Sequence, residues 1–581
     1  MDNVKLNIVE SWEEAQVFMS WLGERRQILA CDTETTGLDW WTPHFVRLVQ
    51  FGDLNTGWVI PFERWGGLAE EALKRYNGPL VFHNAKFDVK ALEISGIPVK
   101  RHLVEDTRTM AHLIDPAHLT GLKDLGVRYV DSTCDNGQVV LKKGMLQNRW
   151  TWATVPVNFT PYWIYSALDP VLTAHLYKQF RPQIIGDLEE VYEMEIQILW
   201  ILDAIEKKGV RVDVEYCIEQ QSLISKQVDV ITEWIRDNWD IGAGQNKLIA
   251  EILLKDGVKL TKKTKSKSAW AMDEDVLSGI DHPLARAALN VRKGKRAANN
   301  YFGSYIERQV DGLLHADINP LGARTGRMSV SKPPLQQIPH TKLLRDPFIP
   351  RNGNRLVSVD FEQVEYRLIA HLSEDPGLIA GFAGSDFFCA LAAEVYGVPS
   401  VEKGDPRRQI TKNTMYGVAY GAGEEKSALM TGIPQEEMAA FRTKFFNTYP
   451  GLKAYMRSVT DTAKRNEHQG GIPYVTTPMG RRQPADWFNE QWKYYALLNY
   501  QVQGAAGDVF KSALVEMDRA GLTEYMILPI HDEILLDVPA EDAEDVALET
   551  IECFEADKSW RVPLTADSKI VDRWGDAYRE K

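Results

Sequence analysis

Short apolar runs that stop at acidic residues recur along this chain. Ile28 to Ala30 in QILACDTETTGLDW lead into Asp32, Thr33 and Glu34, and Leu356, Val357 and Val359 in RLVSVDFEQVEYRLIAHLSED stop at Asp360. In YMILPIHDEILLDVP, Tyr525 to Pro539, two apolar runs flank His531, Asp532 and Glu533. Runs of this length predict strands, and the last stretch predicts a strand, a tight turn and a second strand. Side-chain alternation then puts Asp32 and Glu34 on one face of their strand. Elsewhere the spacing is helical. Asn84 and Asp88 in LVFHNAKFDVKAL, and Tyr165 and Asp169 in YWIYSALDPVLTAHLY, are each four apart, hence on one helix face. In DPRRQITKNTMYGVAYGAG the residues Arg408, Lys412, Tyr416 and Tyr420 repeat that spacing along one stripe, and YGAG supplies the stop. The pattern is mainly helical from Gly186 to Arg308, and a loop punctuated by Gly and Pro follows, GARTGRMSVSKPPLQQIP, Gly322 to Pro339.

At 581 residues the chain exceeds what one hydrophobic core organises, so at least two domains are expected. With 44% hydrophobic and 25% charged residues and neither a repeat nor a low-complexity tract, it reads as globular throughout. Neither a charged-then-apolar leader nor an apolar run near the roughly 20 residues of a membrane span is visible, which predicts a soluble cytoplasmic protein. Five scattered cysteines without a CxxC pair argue against a disulfide framework or a structural zinc site and suit a reducing compartment. The net charge of −14 argues against nonspecific coating of nucleic acid. Local charge differs: KDGVKLTKKTKSK, Lys255 to Lys267, and RKGKR, Arg292 to Arg296, are candidates for backbone binding.

The residue types at these positions point to phosphate chemistry. A carboxylate on a hairpin turn facing another at a strand end is a way of holding hard divalent cations beside phosphates. A helix stripe of two cations and two aromatic rings suits a triphosphate and a base or sugar. Arg324 and Arg327, set among small residues, would let a nucleic-acid strand approach the backbone while the guanidinium groups meet phosphate or a groove edge.

DTET, HNAKFD and YSALD resemble the three motifs of the proofreading 3′-to-5′ exonucleases with an acidic metal tetrad. The TGR loop, DFEQVEYR, RRQITKNTMYGVAYG, NYQVQG and HDE, in that order, resemble the family A DNA polymerases of the bacterial DNA polymerase I type. Together the motifs cover nearly the whole chain. The resemblance implies an α/β ribonuclease H-like exonuclease domain over 1–185 and an α+β right-hand polymerase domain over 186–581. Within the latter it implies a thumb in about 186–315, a palm in about 316–375 and 490–581, and fingers in about 376–489. It implies two-metal phosphoryl transfer in both domains, with two Mg2+ ions per site and Mn2+ as a substitute. Asp32, Glu34 and Asp169 would be direct ligands in the exonuclease and Asp88 a ligand partly through water. Tyr165 would orient the attacking water, Asn84 would support the terminal nucleotide or the metal site, and Asp106 would be structural support. In the polymerase Asp360, the Phe361 carbonyl and Asp532 would hold the metals, with Glu533 supporting the site near the primer end. Arg408 and Lys412 would bind the triphosphate, Lys412 also as general acid, and Tyr416 and Tyr420 would meet the nucleotide and the templating base. Glu365 matches a steric gate against ribonucleotides, while Gln363, Arg327, Asn499 and Gln503 would contact the nucleotide or the primer-template.

Three positions depart from the family pattern. Tyr495 stands where many members have an Arg on the primer strand, Phe388 where the pattern often has a His on the triphosphate, and Tyr416 replaces the common Phe, as in some phage-encoded members. With the exonuclease motif beginning at Asp32, no 5′ nuclease domain is expected ahead of it. The implied partners are primer-template DNA, deoxynucleoside triphosphates and replisome proteins such as a helicase, a primase and a single-strand binding protein, with the chain itself a monomer. A compact phage replicase, placed in the host cytoplasm, is the reading favoured, with organellar or bacterial repair use the alternatives. The rival functions are an exonuclease with a silent, DNA-holding polymerase region, and an RNA-synthesising or noncatalytic relative. Asp360 and Asp532 argue against the first and Glu365 against RNA synthesis.

Overall fold

The computed structural model describes residues 4–578 apart from 25, 42, 43, 265, 385, 420 and 470. The N-terminal third is built on a mixed six-stranded sheet, in the spatial order Lys5–Ile8, Thr56–Pro61, Val46–Gly52, Leu29–Thr35, Leu80–Phe82 and Val104–Asp106. Leu29–Thr35 lies inside this sheet, antiparallel to Val46–Gly52 and parallel to Leu80–Phe82. A central strand must bury both faces, and the first residues, Leu29, Ala30 and Cys31, are fully enclosed. From Asp32 on, burial alternates, so Asp32 and Glu34 share the more open face. The helix Thr160–Phe180 packs across that sheet and brings Tyr165 and Asp169 to it.

A turn at Gly186, with φ of 61°, leads into the long helix Asp187–Lys208. The segment that follows is helical as expected, through Val214–Trp239, Asn246–Lys255 and Pro283–Lys295. The basic runs there are partly neutralised at home: Lys262 pairs with Asp273, Arg296 with Glu274, and Arg292 bonds Asn246 and the Met272 carbonyl.

The second sheet is antiparallel and four-stranded, ordered Met526–Ile530, Glu533–Pro539, Asn354–Phe361 and Ala566–Val571. Ile530 pairs with Glu533, so His531 and Asp532 alone form the hairpin turn. His531 takes φ of 55°, which histidine tolerates better than most side chains. The helix Ala543–Phe554 covers this sheet, and Leu497–Arg519 packs against that helix, their Phe510 and Phe554 rings 5.9 Å apart. Phe361 in turn sits 4.5 Å from Phe554. One buried cluster runs from Met110 and Leu113 in the N-terminal third through Ile198 and Leu202 to Val357 and Leu535 of this second sheet, so the two sheets are joined by continuous packing. No helix among the described residues is long and apolar enough to cross a membrane.

Candidate active sites

The first acid set forms where the 29–35 strand meets the 160–180 helix. Carboxylate oxygens of Asp32, Glu34 and Asp169 lie within 4.8 Å of one another. Asp88, on the helix Ala85–Ile94, is turned toward them but held separately: its Oδ1 accepts from the Thr33 amide at 3.0 Å and the Thr33 hydroxyl at 2.7 Å. Asn84 caps that helix with φ of 79°, and its side-chain oxygen accepts from Arg108 at 2.7 Å. Asp106 caps the helix Thr107–Ile114 through the Thr109 amide and also accepts from the Ala85 amide.

Crowding like charges in a buried site disfavours ionisation. Burial, followed by the charges of Asp88, Asp169 and Glu34, pushes Asp32 well above the carboxylate range. Burial and then Asp169 push Glu34 up to about 8, and burial pushes Asp88 up to about 7 against the hydrogen bonds from Thr33. Asp169 is raised by burial and eased by Lys123 and Tyr165. Lys123 is a residue that the sequence pattern did not single out. Its Nζ bonds Asp169 and lies 4.3 Å from the centre of the Tyr165 ring, so a positive charge already stands against these acids. An all-oxygen donor set this short of positive charge fits hard divalent cations, with Asp32, Glu34 and Asp169 as the holders.

The second acid set lies where the hairpin turn meets the 354–361 strand. Asp360 pairs directly with Glu533 across the ladder, and the Phe361 amide donates to the Asp532 carbonyl at 3.3 Å. Asp360 stands at the solvent-facing end of its strand, yet the surrounding floor desolvates its carboxyl. That burial, followed by the charges of Asp532 and Glu533, pushes it up to about 8. Asp532 is raised by burial and eased by Arg327. Two adjoining carboxyls this reluctant to ionise also fit a cation site. Glu533 is built differently. Its carboxylate is buried and accepts from Ser358 Oγ at 2.6 Å, Tyr578 OH at 2.6 Å and Trp574 Nε1 at 3.3 Å, an arrangement that braces the hairpin from beneath.

Around this set stand the remaining expected residues. Arg327 pairs with Glu365 in the first turn of the helix Val364–Ser373, and Gln363 caps that helix with φ of 55°. Arg324, expected to reach toward nucleic acid, is instead engaged within the protein. It bonds Asp486 and the Pro484 carbonyl and lies 4.4 Å from the Tyr500 ring. Asn499 and Gln503 sit one turn apart on the 497–519 helix, both half-buried. Arg408, Lys412 and Tyr416 share the helix Pro406–Ala419; Tyr420 lies outside the described residues. Arg408 makes a two-pronged pair with Asp386, at 2.8 and 3.1 Å, and Arg408 and Lys412 both approach the Phe388 ring. A carboxylate thus occupies the guanidinium expected to meet a triphosphate.

The raised carboxyls predict a pH dependence. Their folded values exceed their unfolded ones, so between about pH 4 and about pH 8 these acids bind more protons in the folded chain than in the unfolded one. Without divalent cation, the stability that these acids contribute should therefore fall as pH rises through that window. Added MgCl2 should raise Tm little near about pH 5 and most near about pH 8, where protons compete less for the acids. Thermal unfolding with MgCl2 against EDTA measures this, and an increment that shrinks with pH contradicts it.

Two family descriptions match the chain: 3'-5' exonuclease over residues 7–185 and DNA polymerase family A over residues 214–576. It is 30% identical to the DNA polymerase of Mycobacterium phage D29, over 99% of this chain and 98% of that protein. It is 26% identical to the DNA polymerase I of Chloroflexus aurantiacus, over 86% of this chain but 55% of that longer protein. Its fold matches that of the POL domain of Pol1 from M. smegmatis, solved in complex with DNA primer-template and dNTP. The TM-score is 0.81 at 24% identity, covering 99% of this chain and all of that domain.

Proposed function

Because the chain belongs to the family A DNA polymerases and carries a 3′-5′ exonuclease domain ahead of its polymerase domain, we propose that it extends a primer on a DNA template with deoxynucleotides and removes misinserted ones from the same primer end. Each reaction has its own acid site. The observation that carries this reading is the pair of separate acid sets, each beside a strand end of a different sheet and each holding a carboxyl pushed up to about 8. Near-full-length similarity to a phage polymerase supports a phage replicative role.

Mg2+ is the cation proposed for both sites, held by Asp32, Glu34 and Asp169, with Asp88 beside them, in one, and by Asp360, Asp532 and the Phe361 carbonyl in the other. Bound there, divalent cations activate the attacking oxygen and neutralise the leaving one. The chain's own residues do the rest. In the exonuclease, the Tyr165 hydroxyl orients water toward the terminal phosphodiester, and Asn84, fixed by Arg108, supports the terminal nucleotide. In the polymerase, Arg408 exchanges Asp386 for the incoming triphosphate, and Lys412 on the same helix face gives a proton to the departing pyrophosphate. Glu365 crowds a ribose 2′-hydroxyl. Asn499, Gln503 and Arg327 hold the primer-template, with Gln363 at the nucleotide-facing start of its helix. Glu533 acts through the hairpin, keeping Asp532 in place from below.

Primer extension with Mg2+ and all four deoxynucleotides tests the reading, with template-directed growth of the primer expected. No growth, alongside intact degradation of single strands, would favour the exonuclease with a silent polymerase region. Tyr416 gives a further expectation. The residue is half-exposed on the 406–419 helix, and its hydroxyl can take the place of a missing sugar 3′-hydroxyl, so dideoxynucleotides should be incorporated readily. Tyr416→Phe should raise discrimination against them by about a hundredfold, read as a ratio of kcat/KM values. Strong discrimination by the unaltered chain would sink the idea.

A further inference from the structure

The loop from Pro320 to Arg327 delivers Arg327 to the second acid set, and most of its hold comes from outside itself. Lys511 Nζ donates to the Pro320 carbonyl at 2.9 Å, and Gln483 Nε2 donates to the Thr325 carbonyl at 3.2 Å. Gly326, at φ of 86°, lies flat on the buried Arg481 guanidinium, where a Cβ would stand 2.7 Å from the guanidinium carbon. Arg481 and Lys511 are themselves locked by Glu195, and Arg481 also by Asp508. Within the loop, Ala323 is the pivot. Its amide donates to the Arg327 carbonyl at 3.1 Å, and its carbonyl accepts from the Gly326 amide at 2.9 Å.

The pivot has a second holder, and it comes from the N-terminal third. His112, on the helix Thr107–Ile114, places Nε2 3.1 Å from the Ala323 carbonyl oxygen. The ring is buried, and burial together with the Arg481 and Lys511 cations pushes its pKa down to about 3, so it is neutral. A neutral ring facing a carbonyl carries its proton on Nε2 and donates it. Nδ1, also buried, has no partner among the described residues.

The same two-turn helix reaches the first acid site. Arg108 on it holds Asn84, while Met110 and Leu113 pack in the core cluster that takes in Ile318 and Met328 on either side of the loop.

We propose that His112 is a positioning residue for polymerisation: by fixing the Ala323 carbonyl it sets the turn that aims Arg327 at Glu365 and Asp532. A side chain of the exonuclease domain thereby governs how firmly the polymerase site holds the primer end. This rests on the reading of Arg327 as a primer-template contact.

The test uses the full chain carrying Asp32→Ala, so that degradation does not disturb the primer, and compares His112→Phe, His112→Gln, Arg327→Ala and the His112→Phe/Arg327→Ala pair. His112→Phe, which keeps bulk and loses the donor, should raise KM for primer-template about fivefold to tenfold with kcat within about twofold. With Asp32 intact it should degrade single strands at the unaltered rate. His112→Gln, whose amide can still donate, should recover most of the loss. Arg327→Ala should raise KM at least as much, and His112→Phe should add nothing to it. An unchanged KM in His112→Phe with a raised one in Arg327→Ala, or effects that multiply in the pair, overturns the proposal. A raised KM in His112→Phe with an unchanged one in Arg327→Ala instead overturns the primer role of Arg327. If His112→Phe lowers Tm, His112→Asn takes its place, since its shorter amide stays polar but falls short of Ala323.

Discussion

Asp532→Asn is expected to reduce primer extension by about a thousandfold or more in kcat, while single-strand degradation proceeds at its full rate. The substitution is nearly isosteric and sits on a two-residue turn whose left-handed position is His531, so the backbone has no reason to move. Glu533 would still be gripped by Ser358, Trp574 and Tyr578, and the hairpin would stay braced. What is lost is the charge beside Asp360, and a neutral amide oxygen holds a hard cation more weakly than a carboxylate does. Extension by Asp532→Asn at the unaltered rate would refute the assignment of Asp532.

Asp32→Ala should have the mirror effect: degradation falls by about a thousandfold and extension of a matched primer is spared. Asp32 is one of three acids whose oxygens converge within 4.8 Å, so its removal takes away a shared holder. The fold should tolerate the change. Asp32 is a half-buried carboxyl pushed well above its ordinary range, so in the absence of cations it costs stability, and the variant should unfold at a temperature no lower than the intact chain. Degradation rates on a labelled single strand and Tm in EDTA measure the two halves of this expectation. A large fall in Tm would mean that the acid supports the fold more than the chemistry.

Asp32, Glu34, Asp360 and Asp532 were legible in the chain because they follow apolar runs, and a strand end is a position that alternation and turn chemistry mark locally, while Asp88 and Asp169 were marked by helical spacing. The pairing of Asp32 with Glu34, the two-residue hairpin at His531 and Asp532, and the helical stripe carrying Arg408, Lys412 and Tyr416 all follow from periods of two or four residues. Their partners were not legible. Lys123 meets Asp169 across 46 residues, Ser358 meets Glu533 across 175, and His112 meets Ala323 across 211. A lysine in an amphipathic helix and a lone histidine carry no local mark of such contacts, which arise only when sheets and helices pack. Arg324 shows the converse. Its setting among small residues reads as a contact with nucleic acid, and only the packed structure shows that Asp486, 162 residues away, pairs with the guanidinium. Asp386 does the same to Arg408, in a way that only the packed helices reveal.

Two separate acid sites on one chain should act in turn on the same primer end. A primer with a mismatched, labelled 3′-terminal nucleotide, incubated with Mg2+ and all four deoxynucleotides, measures it most directly. The intact chain should release the label and then extend the shortened primer to full length. Asp532→Asn should release the label without extension, and Asp32→Ala should keep the label in whatever it extends. Loss of both label release and extension in either single variant would contradict the account, because it would mean that the two reactions share one site.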